Sequence, residues 1–411
     1  MEETLHRSMV DRLVRRGLLR TPAIEEAFRQ VPREIFLPDV PLEQVYLGDH
    51  VTTKEELGAK LSSSTGPWLM ASMLEQLQPR PGERMLEVGA GTGYNAAILA
   101  RLVGEQGHVS TLEVDVEVAD QARRHLASFG LGEASKSGYS AVETKAVDGA
   151  IGDADGAPWH AILVTVRSGQ IAPAWFDQLA DGGRLVVPLA LGGMRAGELS
   201  IAFAKKNGFL ESESLIDCDF IRPRGGMALE DREFQLDELP GLYWCDGGHH
   251  DVSAQDIRRL LEGPRELRPT GLEVTAQELI DGFQIWLVLH DQEMCTVQAA
   301  GPWLDWPPLL PMAQVPGQFK GAGGIFDGRG IALLAFDHKT DSALSIASYG
   351  DASPSLVRRL ADHLSAWQAA GRPGRERLRL RYFRGATPPT LADEPRVVHP
   401  QTGGGLEASW F

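Results

Sequence analysis

The stretch "ERMLEVGAGTGYNAAILARLVG", residues 83–104, constrains the fold more than any other. Met85, Leu86 and Val88 make a short buried strand, glycines follow at 89, 91 and 93, and apolar residues then recur at helical spacing from Tyr94 to Val103. Glycine lets a backbone turn tightly and approach a ligand closely. A strand, a glycine loop and a helix in that order therefore mark a ligand-binding turn of a doubly wound sheet. The dinucleotide fingerprint spaces its last two glycines three apart. Here the spacing is G-x-G-x-G with Tyr94 next, which departs from a pyrophosphate cradle and matches the usual S-adenosylmethionine loop.

The flanking sequence repeats the pattern. "HVSTLEVD" (108–115) reads as a strand, "VEVADQARRHLASFG" (116–130) as a helix, and "AVETKAVDGAIG" (141–152) as a strand with a turn. "HAILVTV" (160–166) is a continuous apolar run of the kind buried on both faces, and 172–190 reads as helix, Gly-Gly turn and strand. This alternation predicts an α/β, Rossmann-like, mostly parallel sheet, closed by a hairpin over 198–223. Residues 5–29 read as two short helices and "PREIFLP" (32–38) as an extended link. The Gly-, Pro- and charge-rich stretch 222–241 reads as a boundary. The expected division is a cofactor domain over 1–226, a linker over 227–241 and a smaller α+β domain over 242–411. In the last, 283–290, 330–337, 343–350 and 377–383 read as strands and 353–371 as a helix.

A nucleoside needs an acid at the tip of the second strand for its ribose hydroxyls, and Glu113 stands 20 residues after Gly93. Asp148, followed by Gly149, ends the third strand on the same edge, where it either accepts from an adenine amino group or only forms a turn. Glu87 anchors either the loop or the ligand's amino group. Ahead of this loop, "KLSSSTGPWLMASMLEQL" (60–77) sets Ser62, Ser63, Ser64 and Thr65 in front of a helix. One hydroxyl suffices for an N-cap. The others either solvate the loop or face a substrate.

A chain of 411 residues has room for two domains, and its net charge of −16 repels phosphate backbones, so nucleic acid is an unexpected partner. No run reaches the roughly 20 apolar residues of a membrane span. The start carries acids and arginines without a long apolar core, so no signal peptide is expected. Cys218, Cys245 and Cys295 are few, odd in number and far apart, which fits reduced thiols in the cytoplasm. "GGHHD" (247–251) lacks partners at ligand spacing, so no metal is expected. Trp303 and Trp306 stand among prolines in "GPWLDWPPLLP" (301–311), a setting that either grips a peptide or packs a core.

Read in order, "VPREIF…VYLGDHV…SSSTGPWLMASMLEQL…LEVGAGTGYNAAILARLVG…LEVD…VDG…ILVTV…QLADGGRLVVPL" resembles the protein-L-isoaspartate O-methyltransferases over roughly the first 220 residues. The resemblance implies methylation of a carboxylate from S-adenosylmethionine, with S-adenosylhomocysteine left behind and the ester collapsing to a succinimide. It places Tyr46 and Asp49 in the family's substrate-side segment, and Thr165 and Val166, at the end of the apolar strand, are assigned to the same side. The family's loop reads T-I-S-x-P. With its proline on Pro67, the functional serine falls on Thr65, so Thr65 with Ser63 or Ser64 is expected to orient the carboxylate. The Ser/Thr-rich loop and the added C-terminal region resemble the branch that methylates a normal aspartate in ribosomally made lanthipeptide or graspetide precursors, giving aspartimide. The acceptor expected first is therefore such a modified peptide, with general isoaspartyl repair as the alternative. A non-catalytic cofactor-binding adaptor is the alternative of another class. The sequence leaves the oligomeric state open, with a monomer favoured.

Overall fold

The computed structural model describes residues 2–56, 59–132, 139–191, 198–221, 224–227, 232–238, 241–246, 250–301, 313–315, 319–337, 340–351, 354–385 and 397–411. Helices α1 (Glu2–Arg15) and α2 (Pro22–Gln30) open the chain, and α3 (Leu42–Leu47) leads into a hairpin of β1 (Val51–Glu56) and β2 (Ala59–Ser64). Helix α4 (Pro67–Leu77) follows. The alternating core is β3 (Arg84–Val88), α5 (Tyr94–Val103), β4 (His108–Glu113), α6 (Val116–Ser128), β5 (Val142–Ala146), β6 (Trp159–Val164), α7 (Pro173–Gln178) and β7 (Leu179–Ala190). The hairpin β8 (Glu198–Lys206) and β9 (Phe209–Asp217) continues it.

Strands β5, β4, β3, β6 and β7 lie side by side and parallel, with β8 and β9 added antiparallel. The strand order turns at β3, which has β4 on one side and β6 on the other. Ligands of open α/β sheets sit outside the carboxyl ends of the strands at such a switch point. The expected α/β Rossmann-like fold is present, with a sheet-rich C-terminal region beside it.

That region runs through β10 (Arg232–Gln235), β11 (Leu242–Asp246), α8 (Ala254–Glu262), β12 (Arg265–Glu273), α9 (Ala276–Glu278), α10 (Gln284–His290) and β13 (Met294–Ala299). It continues as β14 (Ala313–Val315), β15 (Phe319–Phe326), β16 (Gly330–Asp337), β17 (Thr340–Gly350) and α11 (Pro354–Ala369). Strands β10 to β17 form a second, antiparallel sheet. The chain then returns. Strands β18 (Leu378–Arg384), β19 (Val397–Gln401) and β20 (Gly404–Trp410) join the first sheet, with β18 pairing β9.

Three expectations need correction. The boundary at 226 is not a boundary of the fold, because β18 to β20 complete the cofactor sheet and the expected linker contains β10. Strand β9 has an edge to cover, and β18 supplies alternate buried side chains, Leu378, Leu380 and Tyr382, that extend the core. One apolar cluster accordingly runs from Leu86 and Ile162 through Leu210 to Leu360, Trp367 and Leu380. Second, 283–290 is helical. A short apolar run has no period of its own. The deciding signal lies upstream, where Thr275 and Glu278 form a capping box that starts the helix. Third, "PREIFLP" is not extended throughout, since Arg33–Phe36 is a single 3-10 turn.

Candidate functional site

A cleft of about 800 Å³, counting space open to solvent, lies at the carboxyl ends of β3, β4 and β6. Its floor is the glycine loop from Glu87 to Thr92 with Tyr94 and Asn95, and Glu113, Gly149, Thr165, Val166 and Arg224 stand round it. The β1–β2 hairpin forms a further wall with Leu61 to Thr65. The structure thus brings together Ser63, Ser64, Thr65, Glu87, Gly89, Gly91, Tyr94, Glu113, Gly149, Thr165 and Val166.

The loop needs its glycines. Gly89 has φ +103°, and a Cβ there would come 2.6 Å from Thr165 Oγ1. That hydroxyl donates to the Gly89 carbonyl at 2.8 Å, so Thr165 braces the loop as well as lining the cleft. Gly93 lies behind the cleft wall, in the left-handed conformation that starts α5. Glu113 accepts from Gly91 N at 3.1 Å and from Asp115 N at 3.2 Å. Burial raises its carboxyl above the ordinary range, against the pull of those amides. Glu87 is fully buried beneath the loop, accepting from Asn95 Nδ2 at 2.7 Å and Thr111 Oγ1 at 2.6 Å. Burial pushes its carboxyl up to about 7. Of its two expected roles, loop anchoring matches these bonds.

Asp148 is not among the residues that line the cleft. Its side chain accepts from Ala150 N at 2.9 Å and Gly226 N at 2.6 Å, so it shapes the turn and holds the segment after β9. Tyr46 is buried, and its hydroxyl donates to Glu34. Asp49 contributes its backbone oxygen to Arg33. Neither residue reaches the cleft wall. Trp303 and Trp306 lie outside the described residues.

The three serines alternate along β2, and Thr65 follows its end. Ser62 and Ser64 are buried: Ser62 Oγ accepts from Thr53 Oγ1 at 3.0 Å, and Ser64 Oγ from Arg33 Nη2 at 3.3 Å. All four line the cleft, but Ser63 and Thr65 are half-buried, and their hydroxyls have no protein partner among the described residues. None of the four caps α4, whose N-cap is Gly66 with no side-chain bond.

Two site residues escaped the sequence reading. Arg33 sits in an apolar, proline-bounded motif, and a charge in such company was the available signal. Arg224 stands in the Gly- and Pro-rich stretch read as a boundary, where nothing marked it. It donates to Leu61 O and to Asp115 Oδ2, each at 3.1 Å, and lies 3.8 Å from Glu113. Partial burial alone would raise the Asp115 carboxyl, yet Lys54 and Arg224 hold it down at about 2. Lys54 thereby fastens the hydroxyl hairpin to Asp115 at the end of β4, and Arg224 bridges Asp115 to Leu61.

A G-x-G-x-G loop at a switch point, backed by a buried acid on the next strand, defines a class I S-adenosylmethionine-dependent methyltransferase. Among the described residues no cluster of His, Cys, Asp or Glu suits a metal ion. The model of the family "Protein-L-isoaspartate(D-aspartate) O-methyltransferase (PCMT)" matches residues 3–226, more than half of the chain. The chain is 35% identical over 220 residues to the protein-L-isoaspartate O-methyltransferase of Thermotoga maritima, a match spanning 53% of this chain and 66% of that one. It is 34% identical over 223 residues to that of Hyperthermus butylicus, spanning 52% and 86%. A solved structure of a protein-L-isoaspartate O-methyltransferase shares the fold at a TM-score of 0.51 and 23% identity, covering 92% of this chain and 96% of that one. The chain belongs to the protein-L-isoaspartate O-methyltransferase family, an enzyme class of carboxyl methyltransferases whose cofactor is S-adenosylmethionine.

Proposed function

We propose that this enzyme methylates the carboxylate of an isoaspartyl residue in a protein or peptide, the acceptor for which its relatives are named. The observation that carries the reading is the pair of unpartnered hydroxyls, Ser63 and Thr65, facing the cofactor cleft. When bound, S-adenosylmethionine supplies an electrophilic methyl group on a sulfonium. Gly89 and Gly91 would give it room and Glu113 would accept from its ribose, while Glu87 keeps the loop in place. The acceptor needs no general base, because a carboxylate with a pKa near 4 is ionised at pH 7. The protein's task is alignment and partial exclusion of water. Hydroxyls suit it: they donate to one carboxylate oxygen and leave the other free to attack.

A narrower acceptor, an aspartate of a ribosomally made precursor, rests on the Ser/Thr-rich loop. The added C-terminal region lends it little, because a solved isoaspartate methyltransferase spans almost the whole fold. Matched peptides carrying isoaspartate or aspartate at one position separate the two. Label transferred to the isoaspartyl peptide alone, with succinimide appearing by mass, is the expected result. Transfer confined to a constrained aspartyl precursor would shift the function to the narrower branch.

A further inference from the structure

Arg33 is fully buried, yet it has no ion-pair partner among the described residues. A buried charge is costly to hold without a counter-ion, so its persistence asks for a use. Its guanidinium reaches oxygens of two segments. On one side are Val45 O at 2.7 Å and Asp49 O at 3.3 Å. On the other are Ser64 O and Ser64 Oγ at 3.3 Å and Thr65 O at 3.1 Å. The planar fork of arginine can bridge oxygens on two segments, whereas lysine is one compact charge. Burial draws the group down to about 10, still well above neutrality, so the cation persists at pH 7.

The charge sits against Ser64 and Thr65, beside the two unpartnered hydroxyls of the cleft wall. The sign matters, because the acceptor is an anion and the chain as a whole is strongly acidic, at −16. Low dielectric strengthens such an interaction.

We propose that Arg33 is the positioning residue of the acceptor site: it clamps segment 45–49 to the hydroxyl strand and sets a positive charge beside Ser63 and Thr65 that selects an ionised carboxylate over its neutral amide. The proposal rests on the carboxyl-acceptor reading above. Its contribution passes through the strand, since Arg33 does not line the cleft.

Binding is measured on the full chain loaded with S-adenosylhomocysteine, so that no transfer occurs, and kcat separately with S-adenosylmethionine. Calorimetry measures binding of an isoaspartyl peptide and of the same peptide bearing the α-amide. Wild type is expected to favour the carboxylate by about tenfold or more, the size of a charge-assisted contact. In Arg33→Gln that ratio should fall towards one, while affinity for S-adenosylhomocysteine stays within about threefold, since the contacts are made to the hydroxyl strand. Arg33→Lys keeps the charge and loses the clamp. It should retain the carboxylate preference while kcat falls by about tenfold or more. An unchanged ratio in Arg33→Gln overturns the proposal. Should that variant fail to fold, the wild-type ratio and Arg33→Lys decide, and equal binding of carboxylate and amide by wild type overturns it. Wild-type transfer to the isoaspartyl peptide without carboxylate preference would sink this inference alone, whereas wild type binding neither peptide would remove the isoaspartyl reading with it.

Discussion

At the level of single side chains, burial and existing hydrogen bonds decide which hydroxyls are left for a ligand. All four line the cleft, but Ser62 and Ser64 are buried and bonded to Thr53 and Arg33, whereas Ser63 and Thr65 are half-buried and without a protein partner among the described residues. The sequence shows four hydroxyls in a row, but only the folded hairpin shows which of them are already bonded. Thr65→Val keeps the shape and removes the hydroxyl. Turnover of an isoaspartyl peptide should drop by about tenfold or more, with cofactor affinity unchanged. Turnover within about threefold of wild type would show that Thr65 is not the key contact. Glu87 supports a second expectation. Its carboxyl is raised from an ordinary 4.5 to about 7 by burial, so the folded protein binds its proton more tightly than the unfolded chain does. That stabilisation is complete below the unfolded pKa and fades as pH rises through about 7. It amounts to up to about 3 kcal/mol, at about 1.4 kcal/mol per pH unit. Melting temperatures of Glu87→Gln between pH 5 and 8 should therefore decline less than those of wild type. Parallel curves would place the titration elsewhere.

Among the elements, the strand–loop–helix of 84–103 was the most legible part, because its glycines and its apolar period are both local. Gly89 carries that legibility into a test. Gly89→Ala forces a Cβ against Thr165 Oγ1 from a left-handed φ, so cofactor affinity should fall by about tenfold or more and stability by about 1–3 kcal/mol. Calorimetric titration with S-adenosylhomocysteine and a thermal melt measure both, and wild-type values would show that the loop adapts. Legibility failed where the deciding contacts lie outside the segment itself. The run 283–290 is as apolar as a buried strand, and only the capping box eight residues ahead sets it in a helix. Arg33 was passed over for a similar reason, since its five acceptors come from residues 12 to 32 positions away.

For the molecule as a whole, composition marked a boundary near 226, and the sheet crosses it. Strand β18 covers β9 with a register that sets Tyr382 on Leu210 and Arg381 on Glu211, across 170 residues of chain for the ion pair. Deleting everything after residue 226 should uncover that edge and cut the shared apolar cluster. The expected product is an aggregating chain that loses cofactor binding and transfer together. A well-folded fragment with intact cofactor affinity, seen by calorimetry, would restore an independent N-terminal unit and make the C-terminal sheet available for substrate recognition alone.

The most direct measurement is transfer of a labelled methyl group from S-adenosylmethionine to a short isoaspartyl peptide, with cofactor affinity measured on the same sample. Saturable transfer to that peptide, and none to its aspartyl counterpart, is the expected result. Tight cofactor binding without transfer to the isoaspartyl peptide would contradict it.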